Sequence, residues 1–173
     1  MEIVDMIRCT AFALALLVCL PIFAGETSTE RLFVIERNVN SNIVVYDARV
    51  VARKLFDQAR PVDAYWIMRE EGGRREELNY IEKQWAYGFD IESVREGSHY
   101  RMAIRSFSER SITVVLDKNR PRAITDINGR RSYLTRIYIT TSGKSIMPSV
   151  DQVVLHGVDM SSGEYLREEI TER

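Results

Sequence analysis

The residues of this sequence that could do chemistry are carboxylates, arginines and aromatic side chains set inside apolar runs. Asn42-Ile43-Val44-Val45-Tyr46-Asp47-Ala48-Arg49-Val50 places Asp47 and Arg49 at alternate positions of a β-branched segment. Val62-Asp63-Ala64-Tyr65-Trp66-Ile67-Met68 places Asp63, Tyr65 and Trp66 in a second one. A charge inside such a run is costly to bury unless it is paired. Asp47 and Arg49 therefore either sit on a solvated face or belong to a polar cluster with aromatic walls. The second arrangement is what a small-molecule pocket needs: apolar surface with a few oriented polar groups. The candidate ligand-binding set is Tyr46, Asp47, Arg49, Asp63, Tyr65, Trp66, Tyr87 and Tyr100. A rival reading uses Asp47, Asp63 or Glu82 as the acid and base of a hydrolase, which requires environments that separate their proton affinities.

Other chemistries find little material. His99 and His156 are the only histidines, and neither has a carboxylate or second histidine at ligand spacing. No metal site and no cofactor is expected. There is no Gly-x-Ser-x-Gly elbow, phosphate loop or dinucleotide fingerprint. The only cysteines, Cys9 and Cys19, lie near the N-terminus, so the rest of the chain has no disulfide and no thiol nucleophile. Basic pairs at Arg74-Arg75, Arg120 with Arg122, and Arg130-Arg131 fall in or near turns, where they are solvated or could together touch phosphate or lipid headgroups. The formal net charge is -1, which argues against a dedicated nucleic-acid binder.

These residues must be positioned by β structure. Candidate strands are Leu32 to Ile35, Asn42 to Val50, Val62 to Met68, Phe89 to Val94, Tyr100 to Phe107 and Ile112 to Leu116. Ala123 to Ile127, Ser132 to Thr140, Val150 to Val158 and Tyr165 to Ile170 follow. In the second of these, Val44, Tyr46, Ala48 and Val50 share one face and Ile43, Val45, Asp47 and Arg49 the other. Asn128-Gly129 is a strong hairpin signal because both residues tolerate positive φ. Residues 51–61 fit a short helix or an irregular loop. One helix is predicted near 77–86, with Leu78, Ile81 and Trp85 on one face and Gly88 at a left-handed C-terminus. Most of Tyr80, Glu82, Trp85, Tyr87 and Phe89 would anchor it to the sheet. An exposed Trp85 or Tyr87 would instead mark a ligand or partner surface. The fold class is all-β: a sandwich or partly open barrel of about 8–10 short antiparallel strands with that one helix.

The N-terminus reads as an export signal. Residues 9–25 carry no charge, Arg8 precedes them, and Pro21, Ala24 and Gly25 close the run. The stretch is short for a membrane span. Cleavage after Ala24 leaves a linker at 25–30 and a single β-rich domain at 31–170. Residues 1–24 carry Glu2, Asp5 and Arg8, so the mature chain is formally neutral. Starting at Met6 rather than Met1 would remove both acidic residues and give a cleaner signal. Val18 before Cys19 argues against lipidation there. The expected location is the periplasm or the exterior of a bacterial envelope, with no stable membrane span after processing.

The ordered segments RLFVIERNVNSNIVVYDARV, PVDAYWIM and ELNYIEKQWAYGFDI resemble a bacterial exported family of unknown function, DUF4833. The resemblance spans roughly Arg31 to Glu168. It is carried by positions that include Phe33, Ile35, Arg37, Asn42, Tyr46, Tyr65, Trp66, Leu78, Tyr87 and Gly88. It implies an exported bacterial domain and assigns no activity. The leading expectation is a non-enzymatic envelope protein that binds a lipid-like or small amphipathic ligand, or an envelope-assembly partner. The hydrolase is one alternative. The other is a structural module whose open sheet edge accepts a partner strand.

Overall fold

The computed structural model describes residues 26–52, 54–142 and 149–171. The expected signal peptide at 1–24, with Cys9, Cys19 and both possible starts, lies outside them. The strands are β1 (Thr27–Arg37), β2 (Asn40–Val51), β3 (Leu55–Phe56), β4 (Val62–Met68), β5 (Arg74–Glu77) and β6 (Phe89–Arg95). Then come β7 (His99–Ile104), β8 (Phe107–Asp117), β9 (Arg120–Ile127), β10 (Arg130–Ser142), β11 (Ser149–Asp159) and β12 (Tyr165–Thr171). All belong to one sheet that curls into an open half-barrel. The all-β expectation holds.

The main path runs β5-β4-β2-β1-β10-β9-β8-β7-β6, and β10 is its junction. Arg130 to Tyr133 of β10 pair with β9, and Arg136 to Ile139 pair with β1. Strand β11 pairs with β10 along both stretches, so it occupies the opposite edge, and β12 extends beyond it. The β1–β10 pairing is parallel, a departure from the expected antiparallel set. It joins the first hairpin to the remaining strands. Such a pairing closes a long loop of chain, so it carries a loop-closure cost that no local signal reveals.

Period-two patterning explains the curl. Phe33 and Ile35 of β1, and Val44, Tyr46, Ala48 and Val50 of β2, all face inward and are buried. Phe33 stacks on Tyr46 at 4.5 Å between ring centroids. Met102, Ile104, Ile112, Val114, Ile127, Leu134, Ile137 and Leu155 supply the other walls of one continuous core. A second, small apolar cluster of Ile43, Val45 and Tyr65 lies on the outer face, with Val34 and Ile67 against it. Strand β2 is thus buried on both sides.

The turns follow their residues. Asn128 and Gly129 have φ of 51° and 72°, as the hairpin signal requires. Lys118 and Asn119 adopt the same left-handed pair between β8 and β9. Residues that read as loop or linker prove to be strand in three places. Strand β1 starts at Thr27, inside the expected linker. Leu55–Phe56 pairs with β2 within the ambiguous 51–61 segment, and Arg74–Glu77 pairs with β4. The edges at β5 and β12 are rich in charge, a device that discourages strand addition.

The one short helix near 77–86 is present over narrower bounds. Glu77 ends β5, and the helical segment is one wide π-type turn, Glu82–Ala86. Asn79 and Glu82 cap its entry reciprocally, each side chain accepting the other's backbone N–H at 2.9 Å. Leu78 is buried as expected, but Ile81 and Trp85 are exposed. The wide turn breaks the 3.6-residue period that would have put all three on one face. Gly88 is not left-handed; it is required because a Cβ there would collide with the Lys83 carbonyl.

Candidate functional site

Alternation along β2 and β4 divides the eight candidate residues among three places. Tyr46 and Tyr100 belong to the inner core. The Tyr46 hydroxyl donates to the Tyr87 carbonyl oxygen at 2.6 Å, and burial pushes its phenol well above the usual range. Tyr100 meets Phe56 edge-on at 5.5 Å.

Asp47, Arg49, Asp63 and Tyr65 lie on the outer face, where Asp47 and Asp63 are register partners. Arg31 Nε donates to Asp47 Oδ1 at 2.8 Å, and the Tyr65 hydroxyl donates to Asp47 Oδ2 at 2.5 Å. Burial, and then the bond to Asp47, raise the Tyr65 phenol. Arg49 bridges Asp57 at 3.2 Å and Asp63 at 3.6 Å, and Arg60 also engages Asp63. Arg75 stacks over the Tyr65 ring at 3.6 Å. Every buried charge here has a partner, which is what burial demands. An acid–base pair needs one carboxyl that readily holds a proton. Here both carboxylates are already ion-paired, and neither is free to meet a substrate.

Trp66 and Tyr87 face inward and meet edge-on at 5.2 Å. The guanidinium of Arg37 lies over both rings, 4.7 Å from Trp66 and 5.7 Å from Tyr87. Burial raises the Tyr87 phenol, with Arg37 opposing the rise. Arg37 and Trp66, with Asn40, Asn42, Met68, Asn79 and Glu82, line a polar cleft of about 190 Å³, and Tyr87 packs against both. Arg37 is not among the eight candidates. The signal that could have found it is parity: Phe33, Ile35 and Arg37 continue one face of β1, so an arginine extends an apolar stripe.

Beside it, at the same end of the curl, is an apolar cavity of about 270 Å³. Ile35, Ile104, Phe107, Ile137, Ile139 and Val153 form its walls, and exposed Ser106, Ser108 and Glu109 rim it. Arg37 is the register partner of Ile139, and Ile35 of Ile137. One stretch of β1 therefore borders both the cavity and the cleft.

The remaining groups are elsewhere. A wider groove of about 370 Å³ at the open seam between β4 and β6 is lined by Arg60, Asp63 and Arg105, already paired with one another or with Asp90. His156 sits on the outer face of β11, held by Arg136 at 3.1 Å and by the Tyr165 hydroxyl. Burial, Arg136 and Arg167 hold its imidazole below the usual range, so it is neutral. The three basic pairs do not gather: Arg74, Arg75 and Arg130 pair with nearby glutamates, while Arg120 and Arg122 line an open groove of about 810 Å³ with Arg31, Glu30 and Lys118. Among the described residues there is no cluster of three metal-capable side chains, and no helix is long and apolar enough to cross a membrane.

The fold and site define a curled all-β domain with an amphipathic inner end. The chain belongs to a family described as a domain of unknown function (DUF4833), whose model matches residues 33–172. No curated protein and no solved structure matches it.

Proposed function

We propose that this is an exported envelope protein that binds a small lipid-like or amphipathic ligand, with the ligand's apolar part inside the curl. The observation that supports this is the apolar cavity between β1, β7, β10 and β11. A close-packed interior leaves few voids larger than a water molecule. A space of about 270 Å³ walled by isoleucines offers favourable burial to any apolar chain that enters it. It lies just below the roughly 300 Å³ at which ligand pockets usually begin. It therefore suits a single short chain and not a two-chain lipid. Export rests on the uncharged run before Gly25.

The test is titration of the purified protein with decan-1-ol, read by isothermal calorimetry. Ile139→Phe and Val153→Phe each fill the cavity from a different strand. Either folded variant is expected to lose binding. Unchanged binding in both would remove the ligand from this cavity. A native mass spectrum of the protein from its envelope fraction is expected to place the N-terminus at Gly25. An uncut mass would overturn export.

A further inference from the structure

We infer that Arg37 holds the polar end of that ligand, so that the ligand is an anionic amphiphile: one carboxylate on a single apolar chain. This rests on the cavity reading above. An arginine presents five N–H donors in a rigid fork that matches a carboxylate. Arg37 uses this fork poorly. Its Nε is buried with no hydrogen-bond partner. Its Nη2 reaches Asn40 Oδ1 at the outer limit of 3.5 Å, and the Tyr87 hydroxyl is close enough to draw on the same guanidinium. Among the described residues no carboxylate lies within ion-pair distance of it. The other described arginines either pair with a carboxylate or are exposed.

Stacking on Trp66 and Tyr87 offsets part of the cost of holding this charge. It leaves the edge of the fork unsatisfied, and an unmet buried donor is expensive. An incoming carboxylate would satisfy that edge with charge-assisted hydrogen bonds. The position also fits. The backbone of Arg37 is opposite Ile139 in register, two residues beyond the cavity wall residue Ile35, while its guanidinium lies over Trp66 and Tyr87 in the adjoining cleft.

Carboxylates in the same cleft favour a head of low negative charge. Glu76 and Glu77 line the cleft, paired with Arg74 at 3.2 Å and Arg75 at 3.0 Å, and Glu82 stands beside them. A phosphate monoester carries more charge than a carboxylate at neutral pH, so these glutamates repel it more.

The experiment compares three ligands of one chain length: decanoate, methyl decanoate and decan-1-ol, each titrated calorimetrically into the purified protein. Decanoate is expected to bind about tenfold more tightly than its two neutral counterparts, as an added charge-assisted pair allows. Arg37→Met should abolish that preference and leave the neutral ligands unchanged. Equal binding of all three by the unaltered protein overturns the anionic head and leaves the cavity reading standing. A decanoate preference that survives Arg37→Met moves the head away from Arg37. Binding of none of them overturns the cavity reading itself. The ligand series uses the unaltered protein, so its outcome is independent of how well the variant folds.

Discussion

The sheet of β1, β2 and β4 carries charge on its outer face and the charge of Arg37, on β1, on its inner face, and the two faces treat it differently. Outside, Asp47 and Asp63 are nearly inaccessible, yet each is met by guanidinium groups from Arg31, Arg49 or Arg60. Inside, Arg37 rests on two aromatic rings with no counter-ion. In the outer network both carboxylates are charge-paired, although Asp63 Oδ1 lacks a well-formed hydrogen bond. It ties β2 to β4 and leaves no buried charge without an opposite charge. The inner arginine is incomplete, and it stands beside an apolar space. Burial and charge alone do not separate architecture from binding chemistry. Whether the charge is already answered does.

The difference between the faces is tested most severely along β1, where Phe33 and Arg37 share a side. Phe33 is fully buried and stacked on Tyr46. Phe33→Ala is expected to cost about 3–5 kcal/mol in a urea titration, the range for truncating a core aromatic. Arg37→Met should stay within about 1 kcal/mol of the unaltered protein, because the lost cation–π contact is offset by removal of an unpaired charge. A large loss for Arg37→Met would make this arginine a structural strut. Next in size is the outer network. Asp47→Ala leaves the Tyr65 hydroxyl without its acceptor and Arg31 without its partner, an expected loss of about 1–3 kcal/mol. Arg31 is half exposed and can rehydrate, which keeps the figure at the level of hydrogen bonds. An unchanged urea midpoint would mean the network contributes nothing.

Much of the fold is legible in the sequence, and the exceptions have physical causes. The alternation in β2 assigns every residue from Ile43 to Arg49 to its face, because a side-chain period of two is set by the backbone alone. Asn128-Gly129 marks its hairpin for the same local reason. The candidate site is less legible. Tyr46 and Asp47 are sequence neighbours, so a pleated strand sends them to opposite sides, and they cannot share one pocket. The wide turn at Glu82–Ala86 escapes because it breaks the helical period. The β1–β10 pairing that brings Arg37 beside Ile139 joins residues far apart in the chain, and no local pattern announces it.

On the outer face, pH offers a smaller handle. His156 is held below the usual histidine range by burial and by Arg136 and Arg167, with Glu36 opposing. The folded state thus prefers the neutral imidazole. Its contribution to stability is present above the unfolded value of about 6.5. It is lost as pH falls from there through the lower folded value, because the unfolded chain takes up the proton first. Urea midpoints are expected to decline between pH 7 and about pH 5, and His156→Gln should flatten part of that decline. Equal slopes in both proteins would show that His156 is not under strain.

The smallest effect is expected at the wide turn. Trp85 is 69% exposed, and Tyr80 and Ile81 beside it are also exposed. The three together meet the condition set for a ligand or partner surface, yet exposed side chains contribute little to folding stability. Trp85 makes no ring contact of the kind that holds Trp66 against Tyr87. Trp85→Ser should therefore move stability by no more than about 0.5 kcal/mol. It should also leave decanoate affinity unchanged, since the turn reaches the cleft through Glu82 and not through this indole. Reduced affinity with intact stability would extend the ligand's path from the inner end across the turn, and the division between a charge-paired outer face and an open inner end would need to be redrawn around Trp85.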